Sequence, residues 1–215
     1  MKNLFLLFLL ILVGGCAIKA SPDKWKTQAA NAFESYREYF LHGDDRLAAV
    51  ELKRAIKEAS CSADLMPLAR IYLGECALHT AVLEDTACPD YNQIRALPEI
   101  SGELNNYFLM LQNRMDEVDP AMLPRQYRKY VNRVKKKDFQ AAFSNIREMR
   151  ETSSKLIAAA LIKGHLDYAM ISYIIDQASF RGYKKAVIAW LRFSKKSATE
   201  KKKVLIEQKL YILDH

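Results

Sequence analysis

Turn-forming residues are scarce in this 215-residue chain, which contains 7 Gly and 6 Pro. A fold of many strands needs a turn between successive strands, so this scarcity argues against a β-rich protein. Beyond the first stretch of the chain, no apolar run approaches the roughly 20 residues that a membrane-spanning helix requires. The helix-forming residues Ala, Leu, Lys, Ile and Glu are abundant instead, and they favour an all-α fold.

Motifs that would identify an enzyme or a metal site are also missing. The chain has no G-x-S-x-G, no H-E-x-x-H, no glycine-rich phosphate loop and no C-x-x-C. Its histidines, His42, His79, His165 and His215, have no second metal ligand at a suitable spacing. We therefore predict a non-enzymatic protein without metal or other cofactor. The alternative is an enzyme whose catalytic residues are dispersed along the chain.

Charge is divided unevenly along the chain. Residues 1–120 hold 12 Lys+Arg and 17 Asp+Glu, whereas residues 121–215 hold 21 Lys+Arg and 8 Asp+Glu. A region with such an excess of positive charge is suited to an anionic partner. The alternative is a lysine-rich surface that serves only to keep the protein soluble.

The chain begins with the features of an export signal. Lys2 supplies a positive charge, and the ten apolar residues 4–13 are too few to span a membrane. Two small residues, Gly14 and Gly15, follow, as a signal peptidase requires. We predict that residues 1–15 are a signal peptide and that residues 16–24 form a tether.

The segment Val13-Gly14-Gly15-Cys16 resembles the lipobox of bacterial lipoproteins, where an apolar residue and two small residues precede a cysteine. The resemblance implies that Cys16 is lipidated and anchors the mature chain to a membrane. Because Ala17 rather than Asp follows, the enterobacterial sorting rule implies the outer membrane, facing the periplasm, rather than the inner membrane. The alternative is an ordinary signal peptide with a coincidental cysteine.

Three further cysteines, Cys61, Cys76 and Cys88, could form one disulfide in an oxidising compartment. A helix over residues 63–83 would separate Cys61 from Cys88 by about 30 Å. A disulfide tolerates only ~7 Å between Cα atoms. We therefore favour the pair Cys76–Cys88, which is easier to form if the helix ends near His79. Three reduced, buried thiols are the alternative.

Apolar residues recur at three- and four-residue spacing through most of the remaining chain, which is the pattern of amphipathic helices. This periodicity predicts about ten short helices and no strand. The predicted segments are 25–41, 45–59, 64 to about 77, 99–116, one starting between 119 and 124, 138–149, 152–163, 166–180, 183–195 and 199–213. Residues 86–98 are predicted to be an irregular connection. We divide the helices into an N-terminal region, 25–120, and a basic C-terminal helical-repeat region, 121–215.

Related segments occur between several of these helices. They are 43–48 (GDDRLA), 137–142 (KDFQAA), 164–169 (GHLDYA) and 181–186 (RGYKKA). They are similar to the start of the second helix in a tetratricopeptide repeat, where small residues after a turn allow close helix contact. The resemblance covers about 26–84 and 121–213, although the repeat's first-helix signature and closing proline are missing. It implies a TPR-like helical-repeat solenoid with a groove for a protein partner. An irregular helical array is the alternative.

The segment 125–137 (RQYRKYVNRVKKK) is the strongest candidate for a binding site. Its candidate binding residues are Arg125, Arg128, Lys129, Arg133 and Lys136. Cations beside Tyr127 and Tyr130 could hold phosphate groups, and arginine can do so through two hydrogen bonds. The alternative is that both tyrosines belong to the core and the cations are merely solvated. Residues 195–196 and 201–203 form a second lysine cluster.

Two functions follow from these features. The first is a membrane-anchored envelope lipoprotein that acts as a non-enzymatic, protein-binding scaffold through a TPR-like surface. The second is a binder of an anionic envelope polymer, lipid headgroups or nucleic acid through the basic C-terminal half. The two differ in salt dependence, because binding to phosphates by several cations weakens steeply as salt rises.

Overall fold

The computed structural model describes residues 24–85 and 87–214. Within these ranges the chain forms eleven α-helices and no strand, which confirms the predicted all-α fold. The helices are α1 (Lys24–His42), α2 (Asp45–Ala59), α3 (Met66–Ala81), α4 (Pro89–Ile94), α5 (Gly102–Leu111), α6 (Arg125–Lys135), α7 (Phe139–Glu148), α8 (Thr152–Leu161), α9 (Tyr168–Phe180), α10 (Lys184–Ser194) and α11 (Glu200–Asp214). Short 3-10 turns lie at Met115–Glu117, Pro120–Met122, Lys163–His165 and Lys195–Ser197.

Two elements differ from the segments that periodicity predicts. The predicted irregular connection contains α4, whose first residue is Pro89, a position where the missing backbone N–H costs nothing. A helix of six residues is too short to show the apolar repeat in sequence. The predicted helix over 99–116 is shortened to α5, because Asn113 adopts a left-handed conformation (φ 56°) just beyond its end.

Helix α3 lies at the centre of the fold. It packs against α1, α2, α4, α5 and α8. Gly74 permits the close approach to α1, since a side chain there would clash with the ring of Phe33. At the C-terminal end of α3, the carbonyl oxygen of Ala81 accepts a 3.0 Å hydrogen bond from the buried indole of Trp190 on α10. The core therefore joins the N-terminal and C-terminal regions.

Three of the four repeat-like segments form tight turns between neighbouring helices, joining α1 to α2, α6 to α7 and α9 to α10. Each of these turns has one residue in the left-handed region: Gly43 (φ 90°), Lys137 (φ 58°) and Gly182 (φ 70°). The small residues that follow are buried between the paired helices: Ala48, Ala142 and Ala186. The fourth segment differs, because Gly164 lies in a 3-10 turn and Ala169 is exposed.

The turn between α9 and α10 contacts the first helix, α1. His42 Nδ1 donates to the carbonyl oxygen of Gly182 at 2.8 Å, and the Tyr183 hydroxyl donates to Glu38 at 3.1 Å. Repeats of a solenoid contact only their neighbours in the chain. Contact between α1 and α10 therefore corresponds to the second predicted architecture, the irregular helical array.

Candidate anion-binding groove

Helix α6 owes its orientation to an aromatic inner face. Tyr127, Tyr130 and Val131 follow at spacings of three and one residues and are buried. The Tyr130 hydroxyl donates to the carbonyl oxygen of Ala158 at 2.8 Å, and burial raises the pKa of this phenol well above its ordinary value. The two tyrosines thus belong to the core, which is the second of the two interpretations that the sequence allows.

The opposite face of α6 carries a row of cations. Arg125, Lys129, Arg133 and Lys136 are separated by four, four and three residues, so they lie on one side of the helix. All four are exposed. With a rise of 1.5 Å per residue, the row is about 16 Å long. Such a row matches an extended ligand better than a small one.

These cations line a continuous groove between α6 and α7. One cavity of about 570 Å³ lies between Lys129, Arg133 and Lys136 on one side and Asn145 and Glu148 on the other. A second cavity, of about 590 Å³, has Lys129, Asn145 and Glu148 in its lining as well. It extends past Arg125 and Ser154 to Arg150 and Glu151. We call the two cavities together the basic groove.

Arg128, the fifth predicted residue, lies outside the basic groove. Its Nε donates to the carbonyl oxygen of Leu123 at 2.8 Å. It borders a separate cavity of about 490 Å³ that has Leu73, Leu104 and Tyr107 in its lining. Arg125 also borders this 490 Å³ cavity. It therefore connects the basic groove with a more apolar depression beside α3 and α5.

Several residues that line the groove were not predicted from the sequence, and two of them bear on ligand binding: Asn145 and Arg150. Asn145 lines both cavities, and its buried Oδ1 has no hydrogen-bond partner among the residues that the structure describes. Arg150 reaches the groove from the turn between α7 and α8. A polar residue between the buried Phe143 and Ile146 on α7 is a sequence signal for Asn145. Nothing comparable marks Arg150.

The groove carries a net positive charge. Its lining has five cations and the carboxylates of Glu148 and Glu151. Arg133 lies 3.6 Å from Asp138. Within residues 24–85 and 87–214, the other four cations have no carboxylate within 4.0 Å; they are Arg125, Lys129, Lys136 and Arg150. A row of uncompensated cations attracts phosphates or carboxylates, and the arginines can bind either through paired hydrogen bonds.

Three lysines of the second cluster, Lys195, Lys202 and Lys203, are engaged within the protein. Lys195 lies 2.6 Å from Glu207, and Lys203 lies 2.7 Å from Glu200. The Lys202 ammonium lies 3.6 Å from the centre of the Tyr168 ring. These contacts leave less free positive charge in this cluster than in the basic groove.

The structure joins Cys76 and Cys88 in a disulfide, with their Cα atoms 5.3 Å apart. This is the pair that the sequence favours, although α3 continues to Ala81 rather than ending near His79. The chain reverses at Leu83, whose φ is 62°, and so returns Cys88 to the last turns of α3. Cys61 is exposed and reduced. Cys16, the signal peptide and nearly all of the tether lie outside the described residues.

Other chemistry is sparse in the described part of the chain. None of its clusters of His, Cys, Asp and Glu could hold a metal ion. None of its helices is long and apolar enough to cross a membrane. No family model, curated protein or solved structure matches the chain. The function is therefore argued from the basic groove.

Proposed function

We propose that this chain is a non-enzymatic binding protein that holds an extended anionic ligand in the basic groove. The row of four cations on α6 carries the proposal, because three of them have no carboxylate partner in the described structure. The groove is open and elongated, which suits a phosphate-bearing polymer rather than a small enclosed metabolite. Of the two functions predicted from the sequence, this one agrees better with a groove lined by charge.

Binding of a short polyphosphate chain, measured by calorimetry at several salt concentrations, tests this function. Four cation–phosphate contacts should lower the affinity about fiftyfold between 50 and 200 mM salt. Lys129→Gln should reduce the slope of log affinity against log salt by about 0.7. An affinity that does not respond to salt, or a slope that Lys129→Gln leaves unchanged, would refute the proposal.

We further propose that the protein acts at a membrane surface through a lipid anchor on Cys16. The lipobox-like Val13-Gly14-Gly15-Cys16 supports this, and Ala17 supports the periplasmic face of the outer membrane. Two or more acyl chains make a durable anchor, at ~0.8 kcal/mol per buried CH₂. Cys16→Ser should abolish labelling by radioactive palmitate and release the protein from membranes. Retention of label and membrane attachment by this variant would contradict the anchor.

A second candidate function is a scaffold for another envelope protein. The 490 Å³ cavity favours it, since Leu104, Tyr107 and Leu123 line a depression that meets the basic groove at Arg125. A partner with an apolar side chain next to acidic residues would fit the cavity and the basic groove together. Crosslinking in the native envelope, followed by washes at low and high salt, separates the two functions. A stoichiometric protein that survives high salt supports the scaffold, whereas loss of all bound material as salt rises supports the anionic polymer.

A further inference from the structure

The helix α11 presents apolar side chains to solvent. Ile206 is the one α11 residue buried in the described structure, and Leu210 and Leu213 are partly buried against the core. Three large apolar side chains face outward: Val204, Leu205 and Ile212, with exposures of 55%, 52% and 73%. At about 100° per residue, these three side chains lie about 100° to 160° around the helix from Ile206. The protein surface therefore has an apolar face that the fold itself does not use.

Positive charge borders this face. Lys201 and Lys209 are exposed, and neither has a carboxylate within 4.0 Å among residues 24–85 and 87–214. Lys201 lies four residues before Leu205, so it continues the row of exposed side chains. Exposed cations beside exposed apolar side chains suit the boundary between lipid headgroups and acyl chains.

The acidic residues of α11 are each paired with a cation of the protein. Glu200 lies 2.7 Å from Lys203, Glu207 lies 2.6 Å from Lys195, and Asp214 lies 3.1 Å from Arg192. These pairs reduce the repulsion that free carboxylates would exert on anionic headgroups. The outward face thus combines apolar area with uncompensated positive charge.

We propose that α11 lies on an anionic lipid surface, with Val204, Leu205 and Ile212 among the acyl chains and with Lys201 and Lys209 at the headgroups. Charge complementarity favours an anionic lipid surface over a second copy of the chain as the partner of this face. A second copy of the chain would instead bring together two regions that each hold 21 Lys+Arg and 8 Asp+Glu, so like charges would oppose the contact. The inference depends neither on the basic groove nor on the anchor at Cys16, and it goes beyond both.

Flotation with vesicles made of about equal parts phosphatidylglycerol and phosphatidylethanolamine tests the inference. The protein is the chain from residue 16 with Cys16→Ser, which keeps every described residue and has no acyl group. Val204→Gln with Ile212→Gln should lower vesicle binding about tenfold or more, since two apolar side chains no longer enter the bilayer. Lys201→Gln with Lys209→Gln should lower it by a similar factor. Replacing phosphatidylglycerol by phosphatidylcholine should also lower vesicle binding, because the vesicle then has no net negative charge.

Matched controls separate this surface from the others. Leu47→Gln with Val50→Gln removes exposed apolar side chains on α2 (40% and 58% exposed) and should leave vesicle binding unchanged. Lys129→Gln with Lys136→Gln weakens the basic groove and should also leave it unchanged, while it lowers polyphosphate affinity.

Two outcomes would overturn the inference. Vesicle binding that depends on the groove lysines but not on α11 would place the headgroups in the basic groove, so that the proposed function would stand without this one. The inference would also fail if the wild-type chain formed dimers in analytical ultracentrifugation and Ile212→Gln dissociated those dimers without changing vesicle binding. That result would assign the face to a second copy.

Discussion

The helix pairs α1–α2 and α6–α7 have the same construction and opposite surfaces. Each pair turns at one left-handed residue, Gly43 or Lys137, and each packs a buried alanine, Ala48 or Ala142, between its helices. Residues 24–59 contain seven Lys+Arg and six Asp+Glu, whereas residues 125–148 contain eight Lys+Arg and two Asp+Glu. The shared turn geometry therefore sets the packing, and the exposed positions alone distinguish a neutral pair from a binding surface.

The ion pairs show the same contrast. In α1–α2, Arg37 lies 2.8 Å from Glu34 and Arg54 lies 2.6 Å from Glu51, so cations are matched with carboxylates three residues away. In α6–α7, the closest described pair is Arg133–Asp138 at 3.6 Å. Exposed ion pairs add little stability, so the loss of matched carboxylates on α6 costs the fold little and leaves its cations available to a ligand.

Removing the disulfide is expected to have the largest effect on stability. It should destabilise α3 and therefore the helices α1 and α2 that pack against it. Cys76→Ala with Cys88→Ala should lower the free energy of unfolding by about 3 kcal/mol, since the bridge closes a short loop on α3. Urea unfolding followed by circular dichroism measures this loss. Polyphosphate affinity should not change, because α6 and α7 pack on α8 rather than on the bridged loop. A parallel loss of affinity would show that the two regions are coupled.

Reversing charge in the groove is expected to have the next largest effect. Lys129→Glu with Arg133→Glu should lower polyphosphate affinity about a hundredfold, because two charge-assisted hydrogen bonds are lost. The matched change on the neutral pair, Lys53→Glu with Lys57→Glu, should alter affinity less than about threefold through long-range charge alone. Equal losses in the two double variants would mean that net charge, and not the groove, determines binding.

Overpacking the two pairs tests whether they share one construction. Ala48→Leu and Ala142→Leu should each lower the free energy of unfolding by about 2 kcal/mol, since the added methyl groups push paired helices apart. Chemical denaturation of both variants measures this. Only Ala142→Leu should also weaken polyphosphate binding, because it moves α7 relative to α6. A stability loss confined to one variant would contradict the common construction.

The turn residues should respond in opposite directions. Gly43→Ala places a side chain at φ 90° and should cost about 1 kcal/mol, although Lys185 leaves room for the added carbon. Lys137→Gly removes the same strain from the α6–α7 turn and should stabilise the protein by about 0.5 kcal/mol. Thermal unfolding of the two variants compares them. Shifts of the same sign would show that the two turns are not equivalent.

Helix positions could be predicted from the sequence because they depend on local spacing of apolar residues. The second predicted segment, 45–59, coincides with α2, and most others end within a few residues of the observed helices. The contact between α1 and α10 could not be predicted, since it joins residues about 140 positions apart through single side chains such as His42. Helix α4 was missed because six residues are too few for a periodic pattern.

The candidate site could be predicted in part for the same reason. Arg125, Lys129, Arg133 and Lys136 share a face by helical spacing alone, so their row could be predicted from the sequence. Arg128 lies outside the groove, and its hydrogen bond to Leu123 could not be predicted because it depends on the loop before α6. Asn145 has a local signal, as a polar residue between the buried Phe143 and Ile146. Arg150 lies in the turn after α7 and joins the groove through packing that no local pattern encodes.

Amide chemical-shift mapping of the isotope-labelled protein during titration with short polyphosphate tests the central claim most directly. The claim predicts shifts that saturate along the outer face of α6 and at Asn145 and Arg150, with α1–α2 unchanged. Shifts that are scattered over the surface, or that concentrate on the lysines of α11, would contradict the assignment of anion binding to the basic groove.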